Sequence, residues 1–452
     1  MGRLPGAGRR GRLCESGRAL ARCMRPEMLN SSVSDRATDR ATDQPPAAVR
    51  RRRVFYIPGY DPFPPRRYRE LYRFEAAQQA VASGHEISLC AKPAGGPYGW
   101  SVRACIEGAV TEADVEVLVW SDIVRRSMRQ GIAATYLQLL HTAWTYLRSG
   151  ALMRLIRLRK GPMIAALYPI IVLLMELLLV CGIAWALAHG LGAVIGPGWG
   201  AVALKLAVGC AMVWAGLWMF RRIDRHILAW YLMHDYAFTA AFAGANPPAL
   251  EQRMAVFGDA VAAALQENWD EVLVVGHSSG AHLAVSVLAD LIRGGRVPVM
   301  GPHLALLSLG QVVPMVSFLP GAGRLRSDLA YLSERPEVTW VDVTAPGDGC
   351  AFALCDPVSV SGMAGPGKRW PLVVSAAFTQ TLSPQRWKAL RWQFFRLHFQ
   401  YLCAFDNLPG IPGDYDYFAI TAGPRSLAAR FRDRAPSKSR IETPSNPYGV
   451  IK

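Results

Sequence analysis

The chain is 452 residues long, 51% hydrophobic and 19% charged, with 50 Lys and Arg against 34 Asp and Glu for a net charge of +16. Ordinary soluble domains carry about 25% charged residues, so this apolar bias excludes a disordered chain and asks for a local cause. Half of the positive excess lies in residues 1–53, where 13 arginines face 5 acidic residues for a net +8. The remainder is only mildly basic, and no nucleic-acid partner is expected.

Residues 1–50 are rich in Arg, Gly, Ser and Pro, contain the duplication RATDRATD and have no apolar period. They read as a disordered basic arm. No apolar run of signal-peptide length follows the early arginines. The segment RVFYI at 53–57 predicts a strand that ends in Pro58-Gly59-Tyr60-Asp61-Pro62. A helix over 66–82 and strands at 87–91, 102–106 and 115–120 follow.

Two long apolar runs come next. Residues 163–188 carry one charge, Glu176, and residues 199–220 carry one, Lys205. Each exceeds the roughly 20 residues that cross about 30 Å of hydrocarbon as a helix. The Gly- and Pro-containing link between them has no charge, which predicts an antiparallel transmembrane hairpin spanning 161–222. Arg148, Arg154, Arg157, Arg159 and Lys160 precede it, and Arg221, Arg222 and Arg225 follow it. By the positive-inside rule both termini lie in the cytoplasm, as in a two-span protein of a bacterial inner membrane. Lys205 either leans toward Glu176 or snorkels to the loop side.

Beyond the hairpin the pattern predicts a helix over 249–266, a buried strand at 271–275, a helix over 280–292, and strands at 304–309, 338–344 and 371–377. Alternation of this kind implies a mostly parallel α/β sheet. The sheet would be discontinuous, built from 51–160 and 223–430, with a disordered tail at 431–452. The nine cysteines are scattered, with no CxxC and no histidine at metal-ligand spacing. They read as reduced thiols, with neither a metal nor a cofactor expected.

Gly276-His277-Ser278-Ser279-Gly280 spells G-x-S-x-G between the strand EVLVV and the helix AHLAVSVLADLI. A sharp strand-to-helix turn there would raise Ser278 at the C-terminal edge of the sheet. On these residues the chain resembles the α/β-hydrolase family of serine esterases and lipases, over roughly 51–125 and 226–425. The resemblance implies a triad in the order Ser, Asp or Glu, His. Three histidines follow Ser278. His282 sits one turn along the helix after the elbow and His303 at the N-terminal end of a strand, which leaves His398. For the acid, Asp348 lies in the turn after the strand VTWVDVT, with Asp342 and Asp356 as alternatives. The family's oxyanion hole implies the amide of Ser279, joined by Gly59 or Tyr60 from the loop after the first strand, although the HGGG spelling is absent. The expected protein is thus a membrane-anchored serine hydrolase acting on small-molecule or lipid acyl esters. The alternatives are a catalytically silent scaffold of the same fold and a soluble enzyme with a hydrophobic lid.

Overall fold

The structure is a computed structural model and describes residues 48–92, 96–195, 198–408 and 415–449. Residues 1–47, nearly all of the expected arm, lie outside the described residues.

Eight strands form one sheet: β1 (Arg51–Ile57), β2 (Glu86–Ala91), β3 (Gly99–Ile106), β4 (Ala109–Val117), β5 (Glu271–His277), β6 (His303–Leu309), β7 (Val338–Thr344) and β8 (Leu372–Ser375). Their order is β2-β3-β4-β1-β5-β6-β7-β8. β3 runs antiparallel to β2 and β4, and the other neighbours are parallel. From β1 the chain crosses to the edge strand β2 and returns through β3 to β4 beside β1, and after β5 it builds outward on the other side. The C-terminal ends of β1 and β5 flank this switch point, where an open parallel sheet leaves a crevice for ligands.

β5 is buried along its whole length, which explains its unbroken apolar run. One face of the sheet is covered by α1 (Arg66–Ser83) and by the segment containing Tyr401, Phe405 and Phe418. The other is covered by α8 (Pro248–Ala264) and α9 (Gly280–Arg293). Arg52, counted with the basic arm by composition, is fully buried and pairs with Glu271 at 2.6 Å, tying β1 to β5. β4 begins earlier than expected and stops at Val117, because the alternating segment AVTEADVEV pairs along β3 while Leu118 and Trp120 leave the sheet.

Three helices that hydropathy did not single out frame the hairpin: α3 (Ile132–Arg148), α4 (Ala151–Leu158) and α7 (Ala229–Ala240). A seven-residue helix, α2 (Ser121–Ser127), precedes them. The hairpin itself is α5 (Lys160–Ile195) and α6 (Trp199–Ile227). Both helices run past the expected ends, because a charged terminus is compatible with a helix that continues into the protein, whereas hydropathy registers only the apolar stretch. At about 1.5 Å per residue, the 36 residues of α5 exceed the length needed to cross a bilayer. Part of α5 is covered by protein: Leu173 packs with Leu139 of α3 and with Trp230 and Met233 of α7. Only 22% and 6% of the most apolar stretches of the two helices are buried. Both are long and apolar enough to cross a membrane. A Cβ at Gly216 would lie 2.7 Å from Val180, so the two helices approach closely there because glycine leaves room.

Glu176 accepts a hydrogen bond from Trp230 Nε1 at 3.1 Å. The Lys205 ammonium lies against Gly192, near the loop end. Glu176 lies near the middle of α5, 16 residues or about 24 Å of helix rise from Gly192, so Lys205 does not pair with it.

The described part of the tail, residues 432–449, departs from the expected disorder. Ser437 N donates to Val373 O at 2.8 Å, Ile441 N to Leu354 O at 2.8 Å, and Ser445 N to Val360 O at 3.0 Å. Its low hydrophobicity hid a strap held mainly by backbone hydrogen bonds.

Candidate active site

β5 ends in a turn that only a particular pattern of glycines permits. Ser278 has φ +56°, a left-handed conformation that costs a non-glycine residue about 1–2 kcal/mol. A Cβ at Gly276 would lie 2.7 Å from Ala281 Cα, and one at Gly280 would lie 2.1 Å from Ile57 O. Both outer positions of the motif therefore require glycine, and the amide of Ser278 is fixed by donation to Leu309 O at 2.9 Å. α9 begins directly behind it.

The loop after β1 meets this turn at the switch point. A Cβ on Gly59 would lie 2.9 Å from Ser278 Cβ and 3.3 Å from its Oγ. The loop is held from several sides. Asp61 accepts from Phe63 N at 2.9 Å and from the Tyr68 hydroxyl at 2.6 Å. Tyr60 shares a hydrogen bond with Ser127 Oγ at 2.6 Å, and its carbonyl accepts from the Tyr231 hydroxyl. Gly59, Tyr60 and Ser279 line one cavity with Ser278. Among the described residues the amides of Tyr60 and Ser279 donate to no backbone carbonyl.

Asp348 sits in the turn after β7, fully enclosed. Its Oδ2 lies 2.7 Å from His398 Nδ1 and accepts from the Tyr401 hydroxyl at 3.0 Å, while Oδ1 accepts from Cys350 N at 2.9 Å. Burial pushes this carboxyl up, but His398 and these donors outweigh it and hold it below the ordinary aspartate value. A carboxylate at Oδ2 places the proton on His398 Nδ1 and leaves Nε2 as the acceptor. His398, at the end of the short helix Phe394–His398, lines the same cavity as Ser278. Gly310, at φ +52°, makes room for the ring: a Cβ there would lie 3.1 Å from His398 Cε1.

The other candidates stand elsewhere. Burial pushes His282 down to about 4, and it lines a small neighbouring pocket with Tyr60, Asp235 and Ser279, not the cavity that holds Ser278. His303 is exposed at the N-terminal end of β6. Asp342, buried within β7, accepts from Ser308 Oγ at 2.5 Å and is pushed up by burial to about 8. Asp356 caps the helix Pro357–Val360 and pairs with Lys368 at 2.7 Å.

Five neighbours escaped sequence reasoning. Tyr401 accepts from Ala345 N at 2.9 Å while donating to Asp348, which locks the acid's turn. His277 Nε2 lies 3.0 Å from His398 O, and burial with the neighbouring His398 pushes its ring down to about 3, so it stays neutral and donates. Tyr231 and Asp235 face the cavity from α7, together with Thr239. Their four-residue spacing was the available signal, hidden in a helix that otherwise reads as a continuation of the hairpin. Burial raises Asp235 to about 7, against the opposing influence of His398.

Asp348, Cys350 and His398 bring one potential ligand atom each within 4.8 Å of one another. They suit a metal poorly, since Oδ2 and Nδ1 already engage each other. Burial, with Asp348 and Asp235 nearby, also pushes the Cys350 thiol well up and keeps its proton in place. The cavity measures about 1390 Å³, larger than the usual few hundred Å³ of a small-molecule site. Comparison with protein-family models, curated proteins and solved structures finds no match to this chain.

Proposed function

We propose that this protein is a serine hydrolase of the α/β-hydrolase type, anchored in a membrane by α5 and α6 and cleaving acyl esters on the cytoplasmic side. The observation that carries the reading is the 2.7 Å pair between His398 and Asp348, set on one cavity with a serine at φ +56°. Strain of this kind, held by surrounding glycines, is stored where a side chain must be presented.

His398 Nε2 takes the proton from Ser278 Oγ as the oxygen attacks the ester carbonyl, and Asp348 steadies the imidazolium. The amides of Ser279 and of Gly59 or Tyr60 receive the developing oxyanion. His398 returns the proton to the leaving alcohol, and water then releases the acyl group through the same base. Membrane anchoring is supported by the exposed apolar surface of both helices, including Leu178, Trp185, Leu206 and Trp214. A soluble lid would bury such residues.

The test is turnover of a short-chain ester by wild type, Ser278→Ala, His398→Ala and the double variant. Nucleophile and base acting as one unit make the double variant hardly worse than either single change. Equal turnover by wild type and Ser278→Ala would leave the silent scaffold.

A further inference from the structure

The cavity is not enclosed by the sheet domain alone. The first three turns of α5 wall it with Ile164, Ala165 and Tyr168, and the last turn of α6 with Arg225 and Ile227. These are the points at which the hairpin leaves the domain. The Tyr168 hydroxyl donates to Ile227 O at 2.8 Å and holds the two ends together.

A second observation locates the lipid surface. α3 lies along α5, with the Tyr136 hydroxyl donating to Leu173 O at 3.0 Å. On its outer face Leu137, Leu140, Trp144 and Leu147 are each exposed by 59% or more. They recur at spacings of three and four, so they form one apolar stripe facing away from the protein. A stripe of this type beside a membrane hairpin, ending at Arg148, is the pattern of a helix lying in the interface. Because α3 contacts α5 at Leu173, the leaflet reaches to within five residues of Tyr168, about 7–8 Å of helix rise. The cavity thus opens beside the hydrocarbon, and Arg225 and Arg396 stand exposed among its lining residues. Exposed guanidinium groups there complement a phosphate.

We propose that the mouth of the cavity between the domain-side ends of α5 and α6 is a lateral portal. A phospholipid of the cytoplasmic leaflet enters it, with an acyl chain along α5 and the phosphate at Arg225 and Arg396. Delivery of the ester carbonyl to Ser278 rests on the hydrolase reading; entry of the lipid does not. A substrate taken sideways from the bilayer need not cross water, and the anchor fixes the portal at the depth where ester groups lie.

The test uses full-length Ser278→Ala protein in phosphatidylcholine nanodiscs doped with a phosphatidylglycerol that carries a diazirine at the end of one acyl chain. After photolysis, crosslinks should map to residues 161–168 and 223–232 as well as to the outer faces of the hairpin. Ala165→Trp, which fills the portal wall, should lower the first set by about tenfold or more and leave crosslinks at 178–187 unchanged. Crosslinks confined to 178–187 and 202–219 would overturn the portal. If Ala165→Trp lost both sets, it would report failed insertion, and the map of the parent protein would decide alone. Cavity crosslinks in a protein whose wild type turns over no ester would retire the hydrolase reading and leave the portal standing.

Discussion

Gly59→Ala should disable Ser278 without unfolding the protein. The added Cβ would sit 2.9 Å from Ser278 Cβ and 3.3 Å from both Ser278 Oγ and His277 O. Carbon atoms in contact prefer about 3.5–4.0 Å, so roughly 0.6–1 Å must be found. Neither neighbour yields easily: the Ser278 amide is tied to Leu309 O, and His277 is buried and bonded to His398 O. Overpacking of this kind costs about 1–3 kcal/mol, and a displacement near 1 Å at a reacting atom lowers rates by about a hundredfold. Gly84→Ala is the matched control. Gly84 caps α1 at φ +67° with no atom within 4 Å of a new Cβ, so it loses about 1–2 kcal/mol through backbone strain alone, away from the site. The assay is the rate of labelling by a fluorophosphonate, read beside the thermal midpoint of each variant. Comparable losses of stability should accompany a large loss of labelling for Gly59→Ala and almost none for Gly84→Ala. Wild-type labelling by Gly59→Ala, or parallel losses in both variants, would refute the argument.

Tyr401→Phe removes one donor from Asp348 and strands the buried amide of Ala345. Ester turnover should fall by roughly tenfold, less than for Asp348→Asn, with a stability loss of about 1–3 kcal/mol in a denaturant titration. Asp342→Asn should retain labelling, which separates Asp342 from the acid role. It also carries a pH signature. Asp342 is raised from 3.8 to about 8 in the folded protein, so its stabilising proton is present in full at low pH and is lost as pH rises through about 8. Wild type therefore loses stability between about pH 4 and pH 8 by this linkage. The thermal midpoint of Asp342→Asn should gain on that of wild type over the same range, and a constant difference would contradict the assignment. In a cysteine-free background, Val194→Cys should react with an impermeant maleimide only from outside intact cells and Glu267→Cys only after lysis. The reverse pattern would invert the topology.

The α/β class and most strand positions were legible because parallel strands buried on both faces read as short apolar runs, as in EVLVV of β5 and LALLSL of β6. The Gly276 to Gly280 turn was legible because its chemistry is local: glycine, strained serine and glycine in a fixed order. The pairing of His398 with Asp348 across 50 residues followed from chain order within a family pattern, not from any local signal. Tyr401, His277 and Asp235 were not legible, because each acquires its meaning from a neighbour brought close only by folding. Hydropathy could not separate the part of α5 that faces outward from the turns around Leu173 that α3 and α7 cover. The order of the tail at 432–449 is not legible in the sequence, because backbone hydrogen bonds leave no trace in composition.

If Ser278 is the nucleophile, covalent modification by an electrophile must fall on it. Membranes containing the full-length protein are treated with a fluorophosphonate, and the modified peptide is sequenced by tandem mass spectrometry. An adduct is expected on Ser278, absent from Ser278→Ala and His398→Ala but present in Ser279→Ala. An adduct on Ser279 or another residue, or no adduct on wild type that is folded and inserted, would contradict the assignment.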